Sequence, residues 1–300
     1  MAAFRIVTLG DSIPWGQGLL EPEKYDVMVK EALASNHPEG VSLERRAHSG
    51  AVIGAFGATG VPQSGEVPGS RPTIIEQCDT FANSPETVDL VLLDGGINDV
   101  GVATILNPLA LIPSLASRTK RACHDAMLVL LKKVSAKFSK LSCRILVTGY
   151  YTIVSEQSDP LGVQRLLGVH GIGVPSFVNA ADEFLDPVIH RCEQFFADST
   201  AELQRAVADA GDARIHFVPT GFTDDNAIFV PRTSLLWGLD LDDGLSPEDP
   251  VASERRPLCD RAHAGPLETL AREQCYRASA GHPNIDGAKQ FKAQIMASLT

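Results

Sequence analysis

The sequence predicts an α/β fold in which helices cover a central parallel sheet. Three observations carry that expectation. Short β-branched, apolar segments alternate with segments of helical period, the pattern of repeated βα units. Val88–Asp94 is almost continuously apolar, as a strand buried on both faces must be. Polar, Gly-containing blocks follow several of these strands, where open parallel sheets carry their ligand loops.

The elements follow in order. Phe4–Gly10 reads as the first strand and Glu23–Ser35 as a helix with Tyr25, Val29 and Ala32 on one face. Val41–Ala47 is a weaker second strand, and the Gly/Pro-rich stretch from Gly50 to Gly69 is loop. Val88–Asp94 is the central strand. Arg118–Leu141 is a long helix with Ala122, Met127, Leu130, Leu131, Val134 and Phe138 at helical spacing, and Cys143–Gly149 is another buried strand. Residues 150–176 hold four glycines and no clear period, so they read as an irregular excursion over one sheet end. Phe177–Ala210 reads as helix in two pieces, the second opened by Asp186 as N-cap and Pro187 as first helical residue. Arg214–Pro219 is a last strand. Residues 221–278 are polar, rich in Pro and Asp, and contain Trp237; a stretch that long is a candidate lid or specificity region. Asn284–Leu299 closes the chain as a helix. The whole, 1–300, reads as one domain with these two excursions.

Composition excludes several classes. Lys+Arg 26 against Asp+Glu 37 leaves a net charge of −11, with no Lys/Arg stripe. Nucleic-acid affinity rests on neutralising phosphates, so no nucleic-acid partner is expected. An anionic membrane surface is disfavoured for the same reason, and no apolar run approaches the ~18–20 residues that span a bilayer. The first residues run straight into a strand without the features of a signal peptide, which favours the cytoplasm; a secreted mature form whose leader has been removed is the alternative. The six cysteines contain no C-x-x-C pair, which argues against structural zinc. Cys123, Cys143 and Cys192 lie in apolar stretches and read as small core residues. Cys259 and Cys275 bracket a polar segment and would pair in an oxidising compartment or stay free thiols in the cytosol.

The chemistry concentrates in four blocks. Gly10-Asp11-Ser12 ends the first strand, which exposes a serine hydroxyl on a turn entering a helix, beside main-chain N–H groups. Alone, such a tripeptide is more often just a helix cap. His48-Ser49-Gly50 follows the second strand, Gly96-Ile97-Asn98-Asp99 the central one, and Gly281-His282-Pro283-Asn284 precedes the last helix. Singly these would be a turn glycine, a loop cap and a helix-entry residue. As an ordered set they supply a nucleophile, a base and donors for an anion. A serine hydroxyl needs a base to take its proton, and an imidazole titrates where it can accept that proton and return it.

This ordered set resembles the SGNH hydrolases, the GDSL-type esterases and lipases. The resemblance implies a three-layer α/β/α, flavodoxin-like fold with a parallel sheet of about five strands. It implies Ser12 as nucleophile and His282 as general base. The oxyanion hole would be formed by the N–H groups of Ser12 and Gly50 and the Asn98 amide. It further implies hydrolysis of a small-molecule acyl ester through an acyl-enzyme, with no cofactor, no metal and no stable membrane association. An acyltransferase using the same residues and a non-catalytic binding module are the alternatives.

One position departs from the pattern. The family usually places an Asp three residues before the His, and here Ser279 stands there. Three explanations are open: a main-chain carbonyl, most simply that of Ser279, supports the ring; a carboxylate from elsewhere, such as Glu273, Asp260 or Asp286, takes the role; or the enzyme is slow or inactive. The carbonyl-supported Ser-His dyad is preferred, because orientation and tautomer are much of what the third member supplies. On that reading Ser279→Asp leaves activity unchanged or raises it.

Other residues carry less. His48 reads as a loop-surface residue or a wall of the site, and Trp15 as a wall of the acyl pocket or a packing residue. The run Asp240, Asp242, Asp243, Glu248 and Asp249 lacks calcium-loop spacing and reads as a solvated acidic face.

Overall fold

The computed structural model describes residues 3–173, 181–243 and 245–300. Its centre is a five-stranded sheet in the order β2-β1-β3-β4-β5, with every neighbouring pair parallel. The strands are β1 (Phe4–Leu9), β2 (Val41–Arg45), β3 (Leu90–Leu93), β4 (Arg144–Thr148) and β5 (Ile215–Val218). Each lies within the segment whose apolar, β-branched composition predicts it. All four residues of β3 are buried, which is why its sequence shows no polar alternation.

The register sets the position of the site. Leu9 of β1 pairs with Leu93 of β3, and Leu93 with Val147 of β4, so these strands end level. The chain leaves β1 toward β2 on one side, whereas β3 lies on the other. The order therefore reverses at the β1/β3 junction, where open α/β sheets form a crevice beyond their carboxyl ends. Right-handed crossovers then put the first helix on one face and the later ones on the opposite face. One layer holds α2 (Tyr25–Ala34) and α12 (Ile285–Leu299), where Tyr25 stacks on Phe291 with centroids 5.5 Å apart. The other holds α3 (Ile74–Asp79), α7 (Met127–Lys137) and α9 (Ala181–Ala210), with Phe81 against Phe138 at 5.3 Å.

Four segments differ from the sequence expectation. The long helix over 118–141 is composite: α6 (Ile112–Thr119) passes through a π-helical stretch, Lys120–Ala126, into α7. Its apolar spacing is nearly helical throughout, so the widened turn leaves no mark on the pattern. The two-piece helix is one: α9 runs through Pro187 without a break. A mid-helix proline costs about 3 kcal/mol. The buried stripe of Leu185, Val188, Ile189, Cys192 and Phe195 continues across it and outweighs that cost. The start expected at Phe177 lies outside the described residues.

The excursion at 150–176 contains a helix, α8 (Pro160–Val169). The Asp159 side chain caps it by accepting from the Gly162 N–H at 2.9 Å, with Pro160 as first residue. Gly162 and Gly168 diluted the period. Residues 174–176 of that excursion lie outside the described residues. The excursion at 221–278 is structured as well. A small antiparallel pair, β6 (Leu239–Asp240) and β7 (Ser246–Pro247), precedes α10 (Ala252–Ala262) and α11 (Thr269–Tyr276). Cys259 and Cys275 are disulfide-bonded and link these two helices, with Cα atoms 5.8 Å apart. Cys78, Cys123, Cys143 and Cys192 are free and buried. No helix among the described residues is long and apolar enough to cross a membrane.

Candidate active site

Ser12 is the first residue of α1 (Ser12–Trp15), a four-residue helix entered directly from β1. Asp11 caps it: the Asp11 carboxylate accepts from the Ile13 N–H at 3.0 Å. That carboxylate also accepts from the Tyr150 hydroxyl at 3.1 Å, and Tyr150 in turn accepts from the Ile97 N–H at 3.0 Å. Tyr150, absent from the four sequence blocks, thus ties the Ser12 turn to the Asn98 turn. The Asp11 N–H donates to Asp94 at 3.0 Å, so two carboxyls share a fully buried place beneath the crevice. Burial pushes Asp11 up to about 6. Burial, and then the charge of Asp11, holds Asp94 well above the usual carboxylate range. Like charges this close cannot both ionise without cost, so the pair retains a proton.

Gly50 sits in the left-handed region, at φ +76°, and a Cβ added there would lie 2.5 Å from the Gly69 nitrogen. Only glycine fits both the conformation and the contact. Asn98 is the second residue of α4 (Ile97–Val100), and one amide hydrogen goes to the Ala51 carbonyl at 3.1 Å. That bond fixes the side chain, and the second amide hydrogen is free to point elsewhere. Among the described residues, the main-chain N–H groups of Ser12 and Gly50 donate no hydrogen bond inside the protein.

His282 meets this rim from the far end of the chain. Its Nε2 lies 2.7 Å from the Ser12 hydroxyl. The turn that carries it is closed by the His282 N–H donating to the Ser279 carbonyl at 2.8 Å. The Gly281 N–H donates to the Trp237 carbonyl at 2.9 Å, the Trp237 N–H donates to the His282 carbonyl at 2.8 Å, and Leu236 bridges to Pro283. The segment around Trp237 is therefore a clamp on the imidazole and not a free lid. Burial pushes the His282 ring down to about 4, so it is neutral at neutral pH; the carbonyls of Ser279 and Ala280 act the other way, favouring the protonated ring. Its Nδ1 is buried without a hydrogen bond of normal geometry.

The three carboxylates considered for the third role are all engaged elsewhere. Glu273 pairs with Arg277, Asp260 accepts from Tyr276, and Asp286 pairs with Lys289 in solvent. The carboxylate that touches Ser279 is Asp249, which accepts from the Ser279 hydroxyl and pairs with Arg255. Asp249 thus leaves the solvated acidic face: its side chain is fully buried. Nothing in its local sequence separates it from Asp240, whose carboxylate caps a turn through the Asp242 and Asp243 N–H groups. His48 is also buried, with its ring 6.0 Å from that of Trp15, and is neither a surface residue nor part of the cleft wall. Trp15 packs under Lys24 and donates to Glu66 at 2.9 Å. It is a packing residue.

A cleft of about 290 Å³ opens over Ser12, Gly50, Asn98 and His282. Its walls are largely apolar, with Val102, Leu106, Tyr151, Ile153, Leu166 and Val169 contributing. Both excursions line it, through α8 and through the α11 end of the disulfide-linked pair. Such a mixture, apolar walls with a few convergent polar groups, is the usual character of a small-molecule site. Among the described residues no group of three or more His, Cys, Asp or Glu side chains is gathered to hold a metal ion.

No family model and no curated protein sequence matches the chain. Solved structures do. The chain is similar to an extracellular lipase from Streptomyces rimosus, at 16% identity and a TM-score of 0.55, over 99% of this chain and 100% of that one. It is similar in the same degree to phospholipase A1 from Streptomyces albidoflavus, at 16% identity and a TM-score of 0.55, over 100% of both. Likeness at this identity speaks to the arrangement of the backbone. Taken with the level strand ends and the two helix layers, it shows that the chain has the three-layer α/β/α fold of the SGNH hydrolases.

Proposed function

We propose that the protein is a serine ester hydrolase acting through an acyl-enzyme on Ser12, with His282 as general base. The observation that carries this reading is the 2.7 Å separation of the Ser12 hydroxyl and His282 Nε2 in a cleft also lined by Gly50 and Asn98. Ser12 Oγ attacks the ester carbonyl carbon, and its proton passes to Nε2. The carbonyl π electrons move onto oxygen, and the resulting oxyanion takes hydrogen bonds from the Ser12 N–H, the Gly50 N–H and the Asn98 amide. Collapse expels the alkoxide, which receives the proton from Nε2. Water then repeats the sequence on the acyl-enzyme, releasing the acid and restoring Ser12.

The third role falls to the main-chain carbonyl of Ser279, which favours the protonated ring, giving a Ser-His dyad. The depressed basicity of His282 fits this reading. The resting base is neutral and available, while the buried imidazolium is tolerated only beside the developing oxyanion, so the ion pair forms in the transition state and not before. The largely apolar cleft walls favour an apolar acyl chain. The test is hydrolysis of p-nitrophenyl esters from acetyl to palmitoyl by wild type and Ser12→Ala. Loss of turnover in the variant on every ester is expected, and equal rates for the two proteins would remove Ser12 from the mechanism.

A further inference from the structure

Behind the base lies a buried ionic chain that joins the nucleophile's side of the cleft to the base's side. It begins at Glu66, whose carboxylate accepts from Trp15 Nε1 at 2.9 Å, Gln17 Nε2 at 2.7 Å and the Gly18 N–H at 3.1 Å. Trp15 is the last residue of the Ser12 helix, and Gln17 and Gly18 lie just beyond it. Glu66 also pairs with Arg255 Nη1 at 3.3 Å. Arg255 is held by Asp249 at 2.6 Å and by the Tyr276 carbonyl at 3.2 Å, and its Nη2 reaches the Ser279 hydroxyl at 3.4 Å. Ser279 donates that hydroxyl to Asp249. The side chains of Arg255 and Asp249 are both 0% exposed. Gly18 closes the gap: a Cβ there would lie 2.8 Å from the Ser279 Cβ.

Burial of this kind is a poor source of stability, because desolvating ions offsets most of what their attraction returns. What it does provide is fixed geometry. Arg255 and Asp249 also act on the His282 ring in opposite senses, the guanidinium against its protonated form and the carboxylate for it. Resting on the dyad reading above, we infer that Ser279, Asp249 and Arg255 are positioning residues. The Ser279 hydroxyl anchors the 279–282 turn to the Arg255–Glu66 chain and so sets the His282 ring at its distance from Ser12. The serine found where the family pattern has an acid is then a tether, acting through the turn and not as a charge.

The test compares Ser279→Ala, Asp249→Ala, Asp249→Asn and His282→Ala. It uses p-nitrophenyl acetate turnover, fluorophosphonate labelling of Ser12 and thermal midpoint. Ser279→Ala keeps every ion pair, and kcat and labelling rate are expected to fall about 10- to 100-fold with KM and midpoint little changed, as a sub-ångström to ångström misplacement of the base would give. Asp249→Ala is expected to lose at least as much. Asp249→Asn retains an acceptor for the hydroxyl and is expected to recover most of the loss. Wild-type turnover in Ser279→Ala overturns the inference, as does a folded Asp249→Asn as impaired as Asp249→Ala, which would make charge the operative property. Should Asp249→Ala not fold, Ser279→Ala decides alone. Wild-type labelling in His282→Ala would instead overturn the dyad reading itself.

Discussion

The Trp237 N–H holds the His282 carbonyl at 2.8 Å, and the Trp237 carbonyl receives the Gly281 N–H at 2.9 Å. The imidazole is thus suspended from a strand-like segment more than forty residues upstream, with the Ser279 turn on its other side. This two-sided support bears on what can be removed. Shortening 221–278, which as an irregular excursion would shift substrate choice more than it harms folding, should instead release His282, because that segment holds both the clamp and the disulfide-linked α10 and α11.

Replacement of the proposed oxyanion donors should lower turnover with little effect on substrate affinity. Asn98→Ala is expected to reduce kcat about 10²- to 10³-fold, as for other single donors of this kind. Gly50→Ala should do as much and also destabilise, since its Cβ would meet the Gly69 nitrogen at 2.5 Å in a backbone conformation that L side chains avoid. Steady-state kinetics and thermal melts on both variants separate the two effects.

The pH dependence of kcat/KM should reveal the titration of His282, the proposed base. His282 is held down to about 4 chiefly by burial. The ring is neutral and competent above that value and is protonated as the pH falls through it. The acid limb of the profile is therefore expected near pH 4, with activity at pH 5 close to that at pH 7. A limb at the ordinary imidazole value of 6.5 would show that the ring is solvated in the free enzyme.

Ser279→Asp tests the third position from the opposite direction. The family pattern alone suggests no harm or a gain. The structure reverses that expectation, because the new carboxylate would be buried against Asp249, with one guanidinium already shared with Glu66. A loss of roughly 3–5 kcal/mol, the scale for an uncompensated buried charge, is expected together with reduced kcat. Chemical denaturation of the variant at pH 7 measures it.

The Asp11–Asp94 pair should make stability fall as pH rises. Carboxyls whose folded values are raised contribute stability that is complete below their ordinary value of 3.8 and is lost as the pH climbs through the folded value, about 6 for Asp11. Asp94→Asn retains an acceptor for the Asp11 N–H and removes one of the two carboxyls. The thermal midpoint of wild type is expected to drop between pH 5 and pH 8, and that of Asp94→Asn to drop less. Equal slopes would mean that the pair is not the source.

The sheet was legible because burial on both faces leaves an unmistakable run, as in Leu90–Leu93, and because each strand is one contiguous signal. The four blocks were legible because each is a few consecutive residues. What escaped is long-range. Arg255 reaches Glu66 across 189 positions, and Tyr150 reaches Asp11 across 139. Neither pairing has a local pattern. Asp249 looked like its neighbours Asp242 and Asp243 because burial is decided by the fold and not by the residue type. Pro187 was misleading for a related reason: local propensity argued for a helix start, and the apolar stripe that overrides it depends on the packing of the whole helix.

The most direct measurement is intact-protein mass spectrometry after exposure to a fluorophosphonate, with the adduct mapped by peptide sequencing. A single adduct on Ser12 in wild type is predicted, with none in Ser12→Ala and labelling slowed by at least about a hundredfold in His282→Ala. An adduct on any other residue, or labelling of His282→Ala at the wild-type rate, would contradict the account.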